Sequence, residues 1–236
     1  MNAITTAVLL AAGEGSRLRG MAASKPLCPV GGRPLIEHAL TGLAAAGITR
    51  AIIVLGYLGD EIAAFLASRD WPLAVETVWT DDYRQPNGVS VLAAQDALAG
   101  DDTLLAMCDH LVTPALYRRM AEAGTGGGLR LGIDRRLGHD WVDPLDVTCV
   151  ATEGDAIVAI GKEMTPHDCY DTGVFAIGPA LMAALSGLQS PSLTEGVRML
   201  AAEGRARVVD CSDLDWIDVD DAPALAKAED WLRVLA

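Results

Sequence analysis

Leu9-Leu10-Ala11-Ala12-Gly13-Glu14-Gly15-Ser16-Arg17-Leu18, followed shortly by Lys25-Pro26-Leu27, carries more information than any other part of this chain. Ile4 to Ala12 is an apolar run ending in Gly13, as expected for a buried strand of a parallel sheet. The strand delivers a turn with glycines at positions 13 and 15. Glycine lets backbone N–H groups converge on an anion without a side chain in the way. Arg17 and Lys25 add cationic donors, so the turn can hold several phosphates. The bland alternative is an ordinary glycine turn with two surface cations.

Outward from this stretch, strand and helix patterns alternate. Leu35 to Ala46 reads as a helix stopped by Gly47. Ala51–Leu55 reads as a strand, Asp60–Leu66 as a helix, Leu73–Val78 as a strand and Ser90–Leu98 as a helix closed by Gly100. Thr103–Met107 is a fourth strand, ending at Cys108-Asp109-His110, and Pro114 suits the first turn of the next helix. This order predicts an α/β fold with a doubly wound, mostly parallel, Rossmann-like sheet.

The second half reads differently. Short strands are expected at Leu129–Ile133, Val147–Ala151, Ala156–Ile160 and Gly173–Ile177, with connections mostly too short for crossover helices. Helices return at Pro179–Leu185 and Leu193–Ala202. A strand at Ala206–Asp210 and the segment Trp216–Val219 precede a last helix, Ala222–Leu235. No linker, repeat or low-complexity tract interrupts the chain. The expectation is a single domain with a small β-rich insertion.

Composition excludes some functions. The chain has 236 residues, 18 basic against 32 acidic, for a formal net charge of −14. Such an acidic chain is a poor general binder of nucleic acid or anionic membranes, although a local basic pocket is compatible with it. Cys28, Cys108, Cys149, Cys169 and Cys211 form no C-x-x-C pair and read as buried reduced thiols. Met1 to Thr6 lacks the basic start of a signal peptide. The apolar stretch Ala39–Gly59 is broken by Gly42, Gly47 and Arg50 and reads as helix then strand. A cytoplasmic protein without membrane insertion is expected.

Two common nucleotide motifs do not fit the opening stretch. A Rossmann fingerprint needs a third glycine where Leu18 stands and an immediate helix, and a P-loop needs a closing G-K-[ST]. Leu10 to Leu18 with Lys25-Pro26-Leu27 instead resembles the signature of sugar-phosphate nucleotidyltransferases. Further along stand Pro86-Asn87-Gly88-Val89-Ser90, Cys108-Asp109-His110, Ile160-Gly161-Lys162, Asp168-Cys169-Tyr170-Asp171-Thr172-Gly173 and Trp216-Ile217-Asp218-Val219-Asp220. Together these are similar to the CTP:inositol-1-phosphate cytidylyltransferases, from about Ile4 to Leu232. Two departures are visible. Pro86 replaces the more permissive residue, often Gly, expected before Asn-Gly. Many family members are also fused to a membrane transferase domain, whereas this chain stops at Ala236 and reads as a free-standing enzyme.

The resemblance implies roles residue by residue. Leu10, Ala11, Ala12, Gly13, Glu14 and Gly15 line the nucleotide, with Asn87 and Gly88 at the base. The alternative for Asn87-Gly88 is a plain Asn-Gly turn. Arg17 and Lys25 neutralise the triphosphate. Asp109 and Asp218 hold Mg²⁺, a hard cation suited to carboxylate and phosphate oxygens. Asp220 is a reserve carboxylate, unless Asp220-Asp221 caps the last helix. Lys162 takes the acceptor phosphate. Asp171 and Thr172 bind acceptor hydroxyls. His110 is expected to position rather than catalyse. Asp134, Arg135, Arg136, Asp143 and Asp146 either rim the acceptor pocket or form a solvated edge.

The implied activity is transfer of CMP from CTP to inositol 1-phosphate, giving CDP-inositol and pyrophosphate. The implied partners are therefore CTP and a phosphorylated polyol or sugar. Residues 1–125 would mainly hold the nucleotide and 126–236 mainly the acceptor. A homo-oligomer is compatible with the sequence. Two rivals stand beside this reading: a transferase of the same fold acting on another sugar phosphate, phosphocholine, a phosphonate or molybdopterin, and a non-catalytic nucleotide-binding regulatory domain.

Overall fold

The structure is a computed structural model and describes residues 3–18 and 20–235. Four strands form its parallel half: β1 (Thr6–Ala11), β4 (Arg50–Leu55), β5 (Ala74–Trp79) and β6 (Thr103–Met107), in spatial order β5-β4-β1-β6. Between β1 and β4 lie a two-residue hairpin, β2 (Pro29–Val30) with β3 (Arg33–Pro34), and helix α1 (Leu35–Ala45). Helix α2 (Gly59–Ala67) joins β4 to β5, and α3 (Asn87–Ala93) with α4 (Gln95–Leu98) joins β5 to β6. After β6 come β7 (His110–Val112) and α5 (Pro114–Ala123), with Pro114 in its first turn, where its missing N–H leaves no bond unmade.

The sheet continues past β6 through antiparallel β11 (Cys169–Ile177), then β8 (Leu129–Asp134), β12 (Ala206–Asp210), β10 (Ala156–Lys162) and β9 (Thr148–Glu153). Strand β9 also pairs with the start of β11, so these five strands close on themselves. The β-rich half is thus an extension of the one sheet. Helix α6 (Pro179–Ser186) follows β11. Helix α7 (Leu193–Ala202) opens with a capping box in which the Ser192 hydroxyl accepts from the Glu195 N–H and Glu195 accepts from the Ser192 N–H. A short ribbon, β13 (Trp216–Asp218) against β7, precedes α8 (Ala222–Leu235).

Period-two alternation assigns the two faces. Ala7, Leu9 and Ala11 of β1 pack with Ile36, Leu40 and Leu43 of α1, Ile62 of α2 and Leu116 and Met120 of α5. Val8 and Leu10 face the opposite layer, with Val91 of α3, Leu181 of α6 and Val197 of α7. Helices on both faces make the sheet doubly wound. A third core joins Leu18, Val30 and Leu35 to Leu111, Ile217, Val219 and Trp231. That small core fastens the hairpin, the β7–β13 ribbon and α8 beside the carboxyl edge of the parallel strands.

Three local expectations differ from the structure. Pro86-Asn87-Gly88 opens α3 instead of forming an Asn-Gly turn, because Pro86 adopts φ −55°, ψ 153° as the helix cap. The helix expected to begin at Ser90 therefore starts three residues earlier, and it breaks at Ala94. Strand β11 begins at Cys169 rather than Gly173, with irregular pairing between Asp171 and Phe175. Gly173 has φ +76° there, a conformation glycine adopts without strain. All five cysteines are buried and unbridged. Among the described residues, no helix is long and apolar enough to cross a membrane.

Candidate active site

The glycine turn and the ends of β1 and β6 form one wall of a site. A cavity of about 250 Å³ is lined by Leu10, Gly13, Gly15, Arg17, Lys25 and Asp109, among others. Nothing stands within 4 Å of where a Gly13 side chain would point. Gly15 is different. Its φ is +56°, and a Cβ there would sit 2.4 Å from Lys25 Cβ. The turn thus lies directly on the lysine stem, and Lys25 is only 7 % exposed. Glu14 is exposed on the same turn. Leu10, Ala11 and Ala12 are buried, and two of their carbonyls are used within the fold: Leu10 O accepts from Cys108 N at 3.1 Å and Ala12 O from Tyr57 N at 3.0 Å.

The β7–β13 ribbon supplies the second wall. Its register sets Asp218 opposite His110, and Val219 N donates to Asp109 O at 3.0 Å. Asp109 and Asp218, far apart in sequence, therefore meet. Lys25 Nζ lies 2.7 Å from Asp109 Oδ2 and 3.8 Å from Asp218 Oδ1, and it also contacts Asp220. His110 Nδ1 bonds Asp109 Oδ1 at 2.8 Å, and its ring stacks on Trp216 with centroids 5.9 Å apart. Gly173 makes room for that ring, since a Cβ there would lie 2.6 Å from His110 Cδ2.

The charges shift one another. Burial works against the charged form of His110, but the Asp218 and Asp109 carboxylates outweigh it and raise the imidazole to about 9. Burial likewise opposes ionisation of Asp109, yet Lys25 and His110 hold its carboxyl well below the usual range. Lys25 is raised because Asp109 and Asp218 overcome its burial. Asp218 moves the other way: burial and the neighbouring Asp109 charge push it up against the pull of His110 and Lys25. Asp171 is raised to about 6, chiefly by burial.

The residues present suit a hard divalent cation. Asp218 Oδ1 is buried and takes part in no hydrogen bond. Ligand atoms of Asp109, His110 and Asp218 lie within 4.8 Å of one another, as do those of Asp146, Asp218 and Asp220. A carboxylate-rich set with an orphaned oxygen is the donor chemistry that Mg²⁺ prefers.

A larger cavity of about 510 Å³ adjoins this centre, lined by Arg17, Asn87, Asp109, Asp171, Asp218 and Lys162 among others. Lys162, at the end of β10, is 59 % exposed and pairs with Asp146. Asp171 Oδ1 accepts from Gly173 N at 2.7 Å, so the strand irregularity holds the carboxyl at the cavity. Thr172 corrects the expectation from sequence. It is fully buried and its hydroxyl donates to Gly132 O at 2.8 Å, because neighbouring strand residues face opposite ways. Asn87 lines the cavity, but its Oδ1 accepts from Leu193 N at 2.9 Å and so also ties α3 to α7. Gly88 lies off the cavity lining and packs against Pro191, whose carbonyl oxygen would lie 2.5 Å from an added Cβ.

Two carboxylates belong to the centre more fully than the sequence suggested. Asp220 contacts both Lys25 and Arg17, while its neighbour Asp221 caps α8 by accepting from Ala224 N at 2.8 Å. Asp146 pairs with Arg17 at 2.6 Å. The W-I-D-V-D alternation was a usable signal for Asp220, since residues two apart share a face of a strand. No pattern singles out Asp146. By contrast, Asp134 and Arg136 lie off the cavity and form an internal network with Trp216 and Asp215.

Residues 7–167 match the model of the MobA-like NTP transferase domain. A protein of Rubrobacter xylanophilus named bifunctional IPC transferase and DIPP synthase is 34 % identical over 229 residues, 95 % of this chain and 51 % of that one. The chain spans about half the length of two curated relatives it matches. The inositol-1-phosphate CTP transferase of T. maritima shares the fold with a TM-score of 0.85 at 22 % identity, over 98 % of this chain and 96 % of that one. A UTP-bound UGPase of Acinetobacter baumannii shares it at 0.80 and 19 %, over 99 % and 94 %. The chain belongs to the MobA-like NTP transferase family.

Proposed function

We propose that this member of the MobA-like NTP transferase family transfers CMP from CTP to inositol 1-phosphate, releasing pyrophosphate and forming CDP-inositol. One observation carries the reading. The larger cavity is lined by Arg17, Asp109 and Asp218 together with Lys162 and Asp171, so the nucleotide-side and acceptor-side groups of this reading border one space. The choice of CTP and inositol 1-phosphate draws on the cytidylyltransferase-like motifs and on the names of the relatives.

In this reading the glycine turn offers backbone N–H groups to the triphosphate, and Arg17 and Lys25 neutralise it and the departing pyrophosphate. A phosphate oxygen of the acceptor attacks the α-phosphorus. The bond to the β-phosphate oxygen breaks, and pyrophosphate leaves with that electron pair. The nucleophile is already anionic, so no general base is required. Lys162 holds the attacking phosphate and Asp171 accepts from acceptor hydroxyls. His110 holds Asp109 in orientation through Nδ1. Asp109 and Asp218, with Asp220 beside them, would hold Mg²⁺, which when bound supplies charge neutralisation at the phosphates. Residues 1–125 mainly serve the nucleotide and 126–236 the acceptor, with Asp218 and Asp220 crossing that division.

The test is pyrophosphate release with Mg²⁺, scanning CTP, UTP, GTP and ATP against inositol 1-phosphate and a panel of phosphorylated acceptors. Release with CTP and inositol 1-phosphate is expected. Release only with another pair replaces the substrates. Nucleotide binding with no release from any pair favours a regulatory module.

A further inference from the structure

We propose that Asp146 is an internal surrogate for a substrate phosphate and that it makes the site selective for dianions. The proposal rests on the reading above that Arg17 and Lys162 bind phosphate. Asp146 lies on the segment between β8 and β9, 129 residues from Arg17 and 16 from Lys162. Its two oxygens are divided: Oδ2 meets Arg17 Nη2 at 2.6 Å, and Oδ1 meets Lys162 Nζ. Arg17 and Lys162 are 51 % and 59 % exposed, whereas Asp146 is only 19 % exposed. The carboxylate therefore sits between two solvated cations that line the same cavity.

A carboxylate and a phosphate monoester offer cations the same chemistry, anionic oxygens on one centre. Arg17 and Lys162 cannot serve both fully, so an incoming anion competes with Asp146. The competition is biased. Ligand oxygens of Asp218 and Asp220 lie within 4.8 Å of that of Asp146, so like charges already crowd it. A monoanion arriving in its place gains little, because it exchanges one negative charge for another. A dianion gains more from the same two cations. The segment is anchored away from the carboxylate: Trp141 packs on Trp231 with centroids 5.5 Å apart, and Lys227 Nζ donates to Asp140 O. Asp146 can thus swing aside without the loop leaving α8.

Calorimetric titration at pH 8 with inorganic phosphate, a dianion, and dimethyl phosphate, a monoanion, tests this without turnover. Wild type is expected to bind phosphate and to bind dimethyl phosphate far more weakly. Asp146→Asn and Asp146→Ala should each tighten phosphate about tenfold, as expected when a like charge leaves a binding site, and dimethyl phosphate by a larger factor, so that the preference for the dianion narrows; equal tightening of both overturns the selectivity. Adding Lys162→Ala should abolish that gain. Phosphate affinity that falls with Lys162→Ala but is unchanged or weakened in both Asp146 variants overturns the surrogate role and leaves the phosphate-binding reading intact. Affinity indifferent to Lys162→Ala, or no phosphate binding in any form, overturns both.

Discussion

Asp134 and Asp218 each end a strand, yet their surroundings are opposite. Asp134 closes β8 at 1 % exposure and accepts from the Arg136 backbone N–H at 2.8 Å, from the Arg136 guanidinium at 2.8–3.1 Å and from Trp216 Nε1 at 3.0 Å. Arg136 also bonds Asp215 and the Leu214 carbonyl at 2.9 Å each. Asp218 closes β13 with Oδ1 buried and without a hydrogen bond, amid carboxylates of like charge and with Lys25 Nζ and His110 Nδ1 no closer than 3.7 Å. A satisfied buried carboxylate holds a fold together. One left unsatisfied beside other acids is maintained at the expense of stability, and such sites are where function resides. Trp216 sits between the two, bonding Asp134 at one end and stacking on His110 at the other.

The largest expected effect falls on the centre around Asp218, where Lys25 and Asp109 stand. Lys25→Ala or Asp109→Ala should lower turnover about a thousandfold, the scale seen when one preorganised electrostatic partner is removed. Circular dichroism should show the fold retained. Near-normal turnover in either variant would erase the functional half of the contrast.

Next comes the satisfied side. Asp134→Ala leaves the Arg136 charge and the Trp216 N–H without their shared acceptor and should destabilise by about 3–5 kcal/mol in urea unfolding. Asp218→Asn should cost far less stability, since it relieves charge repulsion. Equal destabilisation by the two would break the comparison.

Asp171 sharpens it. Burial raises its carboxyl from 3.8 to about 6, so between those values the folded protein binds more protons than the unfolded chain. Stability due to this group therefore falls as pH rises from about 4 to 6 and stays reduced above. Asp171→Asn keeps the acceptor for Gly173 N and removes the charge. It should stabilise by about 3 kcal/mol at pH 7.5, with the difference vanishing below pH 4, and should weaken acceptor binding. An unchanged pH–stability curve would refute the burial account.

The smallest effect concerns the glycine turn. Gly15→Ala should cost about 1–2 kcal/mol for a left-handed alanine, and turnover should drop as the Lys25 stem is displaced. Gly13→Ala, with open space at its Cβ, should leave Lys25 in place.

How much of this was legible varies with the length over which each signal acts. Strands β1, β4 and β6 and helices α1 and α7 could be read directly, because burial on a sheet face or a helix stripe imprints a local period. The glycine turn, Lys25 and the acids at strand ends were legible through motif spacing. Thr172 was misplaced because its orientation follows from where β11 begins, and the Gly173 irregularity concealed that start. Asn87-Gly88 was open between turn and base contact, and Pro86 made it a helix start. Asp146 carried no local mark: its role arises from Arg17 and Lys162, which only folding brings to it.

Residue order alone was enough for the doubly wound sheet, the glycine turn and the family, since each is written in short local patterns of residues. The partnership of Lys25 with Asp109, Asp218 and Asp220, the contrast between Asp134 and Asp218, and the bridge made by Asp146 required the folded chain. Electrostatic coupling and hydrogen-bond satisfaction depend on distance in space, and the β7–β13 ribbon, the closed set of strands and the small core under α8 set those distances.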